Sequence, residues 1–253
     1  MVGGDLSTYH ASNVDCGENV ERKMSRKELV HPSVVLGQNL RGRVRARALW
    51  YDEVEVDESD GAFRELQECA AQLRSRNAGR TVGQVEGIAQ ARKLYRSFGI
   101  DPTSVRPSSE ALLKRALQGR ELYHLSNVVD AGNLASLRTL LPIGLYDRAA
   151  IEGETATIRE GSEGEEYPGI RKGAVHLEGR LCIADDRGPF GSPTSDSLRT
   201  CVTAKTTSLL AIVFAPSGCE PERILATARS LTSGFEEYAG ARLVHELELT
   251  REG

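Results

Sequence analysis

The apolar residues of this chain change their spacing partway along, and that change limits the fold. From residue 61 to about residue 140 they recur every three or four positions, the period of a half-buried helix. From residue 155 onward they fall in short runs bounded by turn residues, the signature of strands. Phe63, Leu66, Ala70 and Leu73 form one stripe and predict a helix over Gly61–Arg76. Ile88, Ala91, Tyr95 and Phe98 repeat the pattern over residues 87–98, and Gly99 stands where a left-handed C-terminal cap would go. Arg106-Pro107-Ser108-Ser109-Glu110 opens a third helix, with Ser108 as its cap, Glu110 favoured in the first turn, a stripe of Leu112, Leu113, Ala116 and Leu117, and Gly119 as its stop. A fourth helix runs over residues 127–140 and is stopped by Pro142. Gly132, Asn133 and Ser136 lie along one side of it, either because a ligand approaches there or because another helix packs tightly.

Strands are expected at residues 31–36, 155–159, 174–177, 180–184 and 209–214, with a hairpin turn at Glu178-Gly179 and an exposed acidic loop over residues 160–167. Residues 41–47 alternate arginine with small or apolar residues, which suits a strand with one solvated face or a phosphate-facing edge. Pro221 begins a last long helix, and residues 242–249 alternate well enough for a closing strand. Helices and strands mix without regular βαβ alternation and without an internal repeat, so the expected class is α+β. Residues 1–25 are polar and glycine-containing, and read as a flexible leader before a single domain over residues 26–253.

Charge and composition exclude several functions. A net charge of −4 argues against gripping nucleic acid by bulk electrostatics. Residues 92–148 nonetheless hold nine Lys/Arg against five acids, whereas residues 149–190 hold nine acids against five bases. This pattern is either a local basic face or mixed solvated surface. The longest apolar run, residues 209–215, is far short of the roughly 20 residues a membrane span needs. The N-terminus lacks a signal-peptide pattern, so the expected location is the cytoplasm. Five widely spaced cysteines form no CxxC pair, and the five histidines form no local ligand pair. Buried free thiols, no metal and no cofactor are expected.

Three segments are richer in functional groups than a fold requires. They are residues 106–110; residues 127–138 leading to Leu141-Pro142-Ile143-Gly144-Leu145-Tyr146-Asp147; and Gly188-Pro189-Phe190-Gly191-Ser192-Pro193-Thr194-Ser195-Asp196-Ser197-Leu198-Arg199-Thr200, followed by Thr203 and Thr206. The second resembles the asparagine-bearing helix and Pro-to-Asp turn of the B3/B4 domain of the phenylalanyl-tRNA synthetase beta subunit. The third sits where that domain has its Gly-rich loop. With residues 92–95 and 106–110, the likeness covers about residues 88–216 and is greatest to free-standing versions of the domain.

The resemblance implies a three-layer α+β domain with a pocket beside its sheet, where a wrongly attached amino acid on a tRNA 3′ end is hydrolysed by water. Such a site has only to position the water, hold the amino acid and stabilise the oxyanion, because the ester is already activated. Carried onto this chain, it implies Asn133 facing the pocket, with Pro142 and Asp147 at the ends of the turn. The chain departs from the synthetase pattern at Gly144, where a histidine is common, and at residues 191–197, which replace a Gly-Gly-Glu loop. Asp196 is the candidate to take over water positioning, its plain alternative being an Asx turn. Asn133 and Asp196 are therefore the candidate catalytic residues, and Ser136, Arg138, Pro142, Gly144, Asp147, Ser195, Ser197, Arg199 and Thr200 the candidate substrate contacts. Arg138 either pairs with Asp130 or Asp147 or meets a carboxylate or phosphate. The expected function is a trans-acting tRNA quality-control protein, an aminoacyl-tRNA deacylase. The alternative is a non-catalytic module binding tRNA ends or a free amino acid.

Overall fold

The longest apolar run becomes the centre of the fold. In the computed structural model, which describes residues 31–170 and 173–250, Leu209–Pro216 is a strand buried along its whole length. The leader expected over residues 1–25 lies outside the described residues. Along this strand Leu209, Ala211, Val213 and Ala215 enter one core, and Leu210, Ile212 and Phe214 enter another. That is the period-two alternation of a strand covered on both faces.

In chain order the strands are β1 (Ser33–Leu36), β2 (Val44–Asp52), β3 (Ile143–Asp147), β4 (Thr155–Glu160), β5 (Glu166–Gly169), β6 (Gly173–His176), β7 (Leu181–Asp185), β8 (Gly188–Gly191), β9 (Leu209–Pro216) and β10 (Arg242–Leu249). The α-helices are α1 (Gly61–Arg76), α2 (Ile88–Arg96), α3 (Ser108–Leu117), α4 (Asn127–Thr139) and α5 (Pro221–Ala239). The central sheet has the order β10-β2-β9-β3 and is antiparallel throughout. A second sheet, β1-β4-β7-β8, is antiparallel except for the β1–β4 pair, and β5–β6 is a separate hairpin.

Three layers result, as expected. One face of the central sheet packs on α4 and α5 through Leu49, Tyr51, Val128, Ala131, Ala135, Leu231 and Phe235. The other meets the second sheet through Ala48, Trp50, Tyr146, Ile158, Ile183 and Phe190. A further apolar cluster joins α1, α2, α3 and α4. Each fully buried aliphatic or aromatic side chain in these layers contributes about 1.5–3 kcal/mol. The buried carboxylate of Glu110 ties α3 to α2 by a two-pronged pair with Arg92, both contacts at 2.8 Å.

Several local expectations change. The stretch read as a strand over residues 41–47 begins at Val44 and continues to Asp52 inside the sheet. The alternation holds, with Val44 and Ala46 buried and Arg45 and Arg47 half-buried, but β2 is an interior strand and so forms no phosphate-facing edge. Arg47 pairs with Glu246 and with Glu248 at 2.8 Å, and Arg45 approaches Glu248 at 3.6 Å, so β10 neutralises both. Ser108 is the first helical residue of α3, not its cap; Pro107 holds the cap position. The Pro-to-Asp turn is strand β3, because β9 offers it a complete antiparallel partner. The Gly-rich segment likewise begins as strand β8. The acidic loop is not wholly exposed: Glu165 folds back on Arg159 at 2.6 and 2.7 Å, and β5 takes up its end. Cys69, Cys182, Cys201 and Cys219 are free thiols, buried or half-buried.

Candidate functional site

β3 is an edge strand, and the space beside it decides the site. Helix α4 crosses above β3 closely because Gly132 has no side chain; a Cβ there would lie 2.6 Å from Leu145 Cδ1. Ser126 caps α4 by accepting from the Val129 N–H at 3.3 Å. At the other end Leu140 adopts a left-handed conformation, φ 59°, which costs a non-glycine residue about 1–2 kcal/mol. The Leu140 N–H donates to the Ser136 carbonyl, and the Ser136 hydroxyl donates to the Leu141 carbonyl, both at 2.8 Å, holding this bend.

Beyond α4 and β3 lies a cavity of about 620 Å³. Its wall is built by Gly132, Asn133 and Ser136 of α4, Ile143 and Leu145 of β3, and Thr194, Ser195 and Asp196 of the loop after β8. Val56, Asp57 and Glu58, the start of α4, Ile170 and residues 201–204 complete it. The described lining carries three carboxyl groups, Asp57, Glu58 and Asp196, and no Lys, Arg or His. Asp57 and Glu58 are exposed. Hydrogen bonds from Ser59 hold the Asp57 carboxyl below the usual range.

Asp196 differs. It is half-buried, and its Oδ1 is enclosed without a hydrogen-bond partner. Burial pushes its carboxyl up to about 7, against the pull of the Leu145 N–H and the Tyr146 hydroxyl beside it. The loop that carries it is fixed by buried phenols. Tyr167 bonds the Ser195 carbonyl at 2.5 Å and the Ser192 hydroxyl at 3.0 Å, and Tyr95 meets the Thr194 hydroxyl at 2.6 Å.

The opposite rim is fixed by two residues that were not candidates. Asn127 is buried with every polar atom used: Oδ1 accepts from the Asp57 and Val128 N–H groups, and Nδ2 donates to the Glu55 and Tyr238 carbonyls, at 2.8–3.0 Å. Asn127→Ala is expected to cost about 2 kcal/mol, because it strands several buried backbone groups. Chemical denaturation measures this. His124 bridges the Asp130 carboxyl at 2.6 Å and the Glu58 carbonyl at 3.0 Å. The hydrogen bond to Asp130 raises the His124 pKa above its ordinary value.

Of the candidate residues, Asn133, Ser136, Ser195 and Asp196 come together at the cavity. The other seven lie elsewhere. Arg138 is exposed and pairs with Glu65, not with Asp130 or Asp147, since it points from α4 toward α1. Pro142 is buried, with its carbonyl accepting from the Phe214 N–H at 3.0 Å. Gly144 faces Tyr146 on the far side of β3 from the cavity. Asp147 caps the turn at Arg148–Ala150 and accepts from the Thr206 hydroxyl at 2.7 Å. Ser197 and Thr200 are buried and bond each other at 3.1 Å. Arg199 makes a two-pronged pair with buried Asp185 at 2.8 and 2.9 Å and reaches the Ala150 and Gly188 carbonyls. The cavity residues missed from the sequence include Ser126, Ile170, residues 56–58, Cys201, Val202 and Ala204, whereas Thr203 belonged to a segment already singled out. Only Ser126, a cap residue before an apolar-periodic run, carried a local signal. Among the described residues no cluster of three or more His, Cys, Asp or Glu could hold a metal ion, and no helix is long and apolar enough to cross a membrane.

Residues 90–247 match the B3/4 domain family. A crystal structure of an N-terminal fragment of the phenylalanyl-tRNA synthetase beta-subunit from Pyrococcus horikoshii is similar at 14% identity and a TM-score of 0.45, covering 85% of this chain and 53% of that one. The chain thus spans about half the length of that fragment. No curated protein matches in sequence.

Proposed function

We propose, on the premise that this chain belongs to the B3/4 domain family, that its cavity takes an aminoacyl ester at the 3′ end of a tRNA and hydrolyses it with a positioned water. The observation that carries this reading is that Asn133 and Asp196, whose carboxyl burial raises to about 7, both line a cavity whose described lining holds acids and no cation. A free amino acid would bring its carboxylate against Asp196 with no described positive partner. An aminoacyl ester brings an ammonium group and a neutral carbonyl, which this charge pattern favours.

In the proposed step Asp196, as carboxylate, takes a proton from water as the water oxygen attacks the ester carbonyl carbon. The Asn133 amide donates to the carbonyl oxygen as negative charge gathers there. The bond to the ribose oxygen then breaks, the ribose oxygen takes the proton back from Asp196, and free amino acid and tRNA leave. A base with a pKa of about 7 gives a rate that rises from pH 6 to pH 8 and levels above that.

Deacylation of a panel of mischarged tRNAs tests the reading. Asn133→Ala is expected to lower kcat/KM roughly tenfold to a hundredfold. Salt-dependent tRNA binding without turnover would replace hydrolysis with the non-catalytic module. Tighter binding of free amino acids than of aminoacyl esters would overturn the charge argument.

A further inference from the structure

The Tyr146 ring is fully buried where two glycines meet. Gly144 precedes it by two residues on the same face of β3, and a Cβ there would overlap the hydroxyl. Gly191, the last residue of β8, leaves the matching gap, since its Cβ would overlap the ring edge and hydroxyl. Phe190 closes the slot edge-on, with centroids 5.0 Å apart and planes at 86°. Gly191 is bridged to Asp196 across the loop, which brings the carboxyl to the slot. The Tyr146 hydroxyl and Asp196 Oδ1 are both enclosed, and among the described groups each is left without a hydrogen-bond partner. A buried phenol of this kind nearly always finds an acceptor.

We propose that Tyr146 is a positioning residue for Asp196: seated between Gly144 and Gly191, its hydroxyl donates to the Asp196 carboxyl and aims it at the cavity. The proposal rests on the reading of Asp196 as the base of the hydrolysis. It gives both glycines a role they would not have as substrate contacts, because any larger residue would push the phenol out. A donor bond favours the ionised carboxyl and so opposes the effect of burial. The other titratable groups that sense Asp196 are Tyr167 on β5 and Cys201 at the cavity, and burial keeps both neutral near pH 7.

The test uses the whole chain with 13C-carboxyl-labelled aspartate, the Asp196 resonance being identified by its loss in Asp196→Asn. In Tyr146→Phe the Asp196 titration midpoint is expected to move up by roughly one pH unit, the effect of losing one donor to a carboxylate. The pH profile of deacylation is expected to move with it. Gly191→Ala, which keeps the phenol but displaces it, is expected to raise the midpoint as well. A midpoint that stays in place or falls in Tyr146→Phe overturns the proposal. The titration needs no substrate, so a wild-type protein that deacylates nothing would remove the proposed reaction and leave this carboxyl–phenol link to be judged on its own result.

Discussion

Asp196→Asn is expected to lose deacylation by roughly a hundredfold or more while gaining stability above pH 7. Both effects come from one carboxyl. Burial raises it to about 7 in the folded chain, whereas an unfolded aspartate titrates near 3.9. Between these values the folded state binds more protons than the unfolded one. Stability therefore falls as pH rises through this window and levels off above about 7. Asparagine has the same shape and no charge to bury at any pH. The variant should be more stable than wild type at pH 8, by on the order of 2–4 kcal/mol, and close to wild type near pH 4. Urea unfolding at the two pH values, beside single-turnover deacylation, measures both effects. A variant that is less stable at pH 8 would mark Asp196 as a structural turn residue.

Arg199→Ala is expected to do the opposite, lowering stability severely without acting on the site. Asp185 has no side-chain exposure, and Arg199 is its two-pronged partner. Burial alone would push the Asp185 carboxyl up, but hydrogen bonds, above all from Arg199, hold it below the ordinary range. Its contribution is thus present above an ordinary carboxylate pKa and lost as pH falls through the lowered one. Removing the arginine leaves a buried charge unpaired, at a cost of about 3–5 kcal/mol, or roughly 10 °C in Tm. KM for aminoacyl-tRNA should be unchanged in the fraction that stays folded. The double variant Arg199→Met with Asp185→Leu is expected to recover only part of the loss, since an apolar pair removes the buried charge but strands the Glu152 and Arg187 N–H groups that Asp185 accepts from. A raised KM with unchanged Tm would return Arg199 to the substrate.

What the sequence revealed follows the range of the signal. Helix α1 spans the residues its stripe predicts, and α4 and β9 differ by one or two, because an apolar period is a local property. Gly99, φ +70°, sits at a helix stop where only a residue tolerant of that conformation fits well. Asn133 and Ser136 were legible as site candidates from the small polar residues along one side of a helix, and Ser195 and Asp196 from the polar loop that resembles the family's Gly-rich loop. The basic excess over residues 92–148 was legible only as a count. Arg92 is paired with Glu110, Arg138 with Glu65 and Arg148 with Asp52, acids as far as 96 residues away in the chain.

By itself, then, the sequence determined the elements, the α+β class and the family likeness, because each is written in spacing or in residue type. Only the tertiary structure decided which polar groups are free to act. Ion pairing and burial are settled between residues far apart in the chain. Those contacts spent Arg199 on Asp185 and Asp147 on a turn, made a strand of the segment read as a turn, and left Asp196 enclosed beside the cavity.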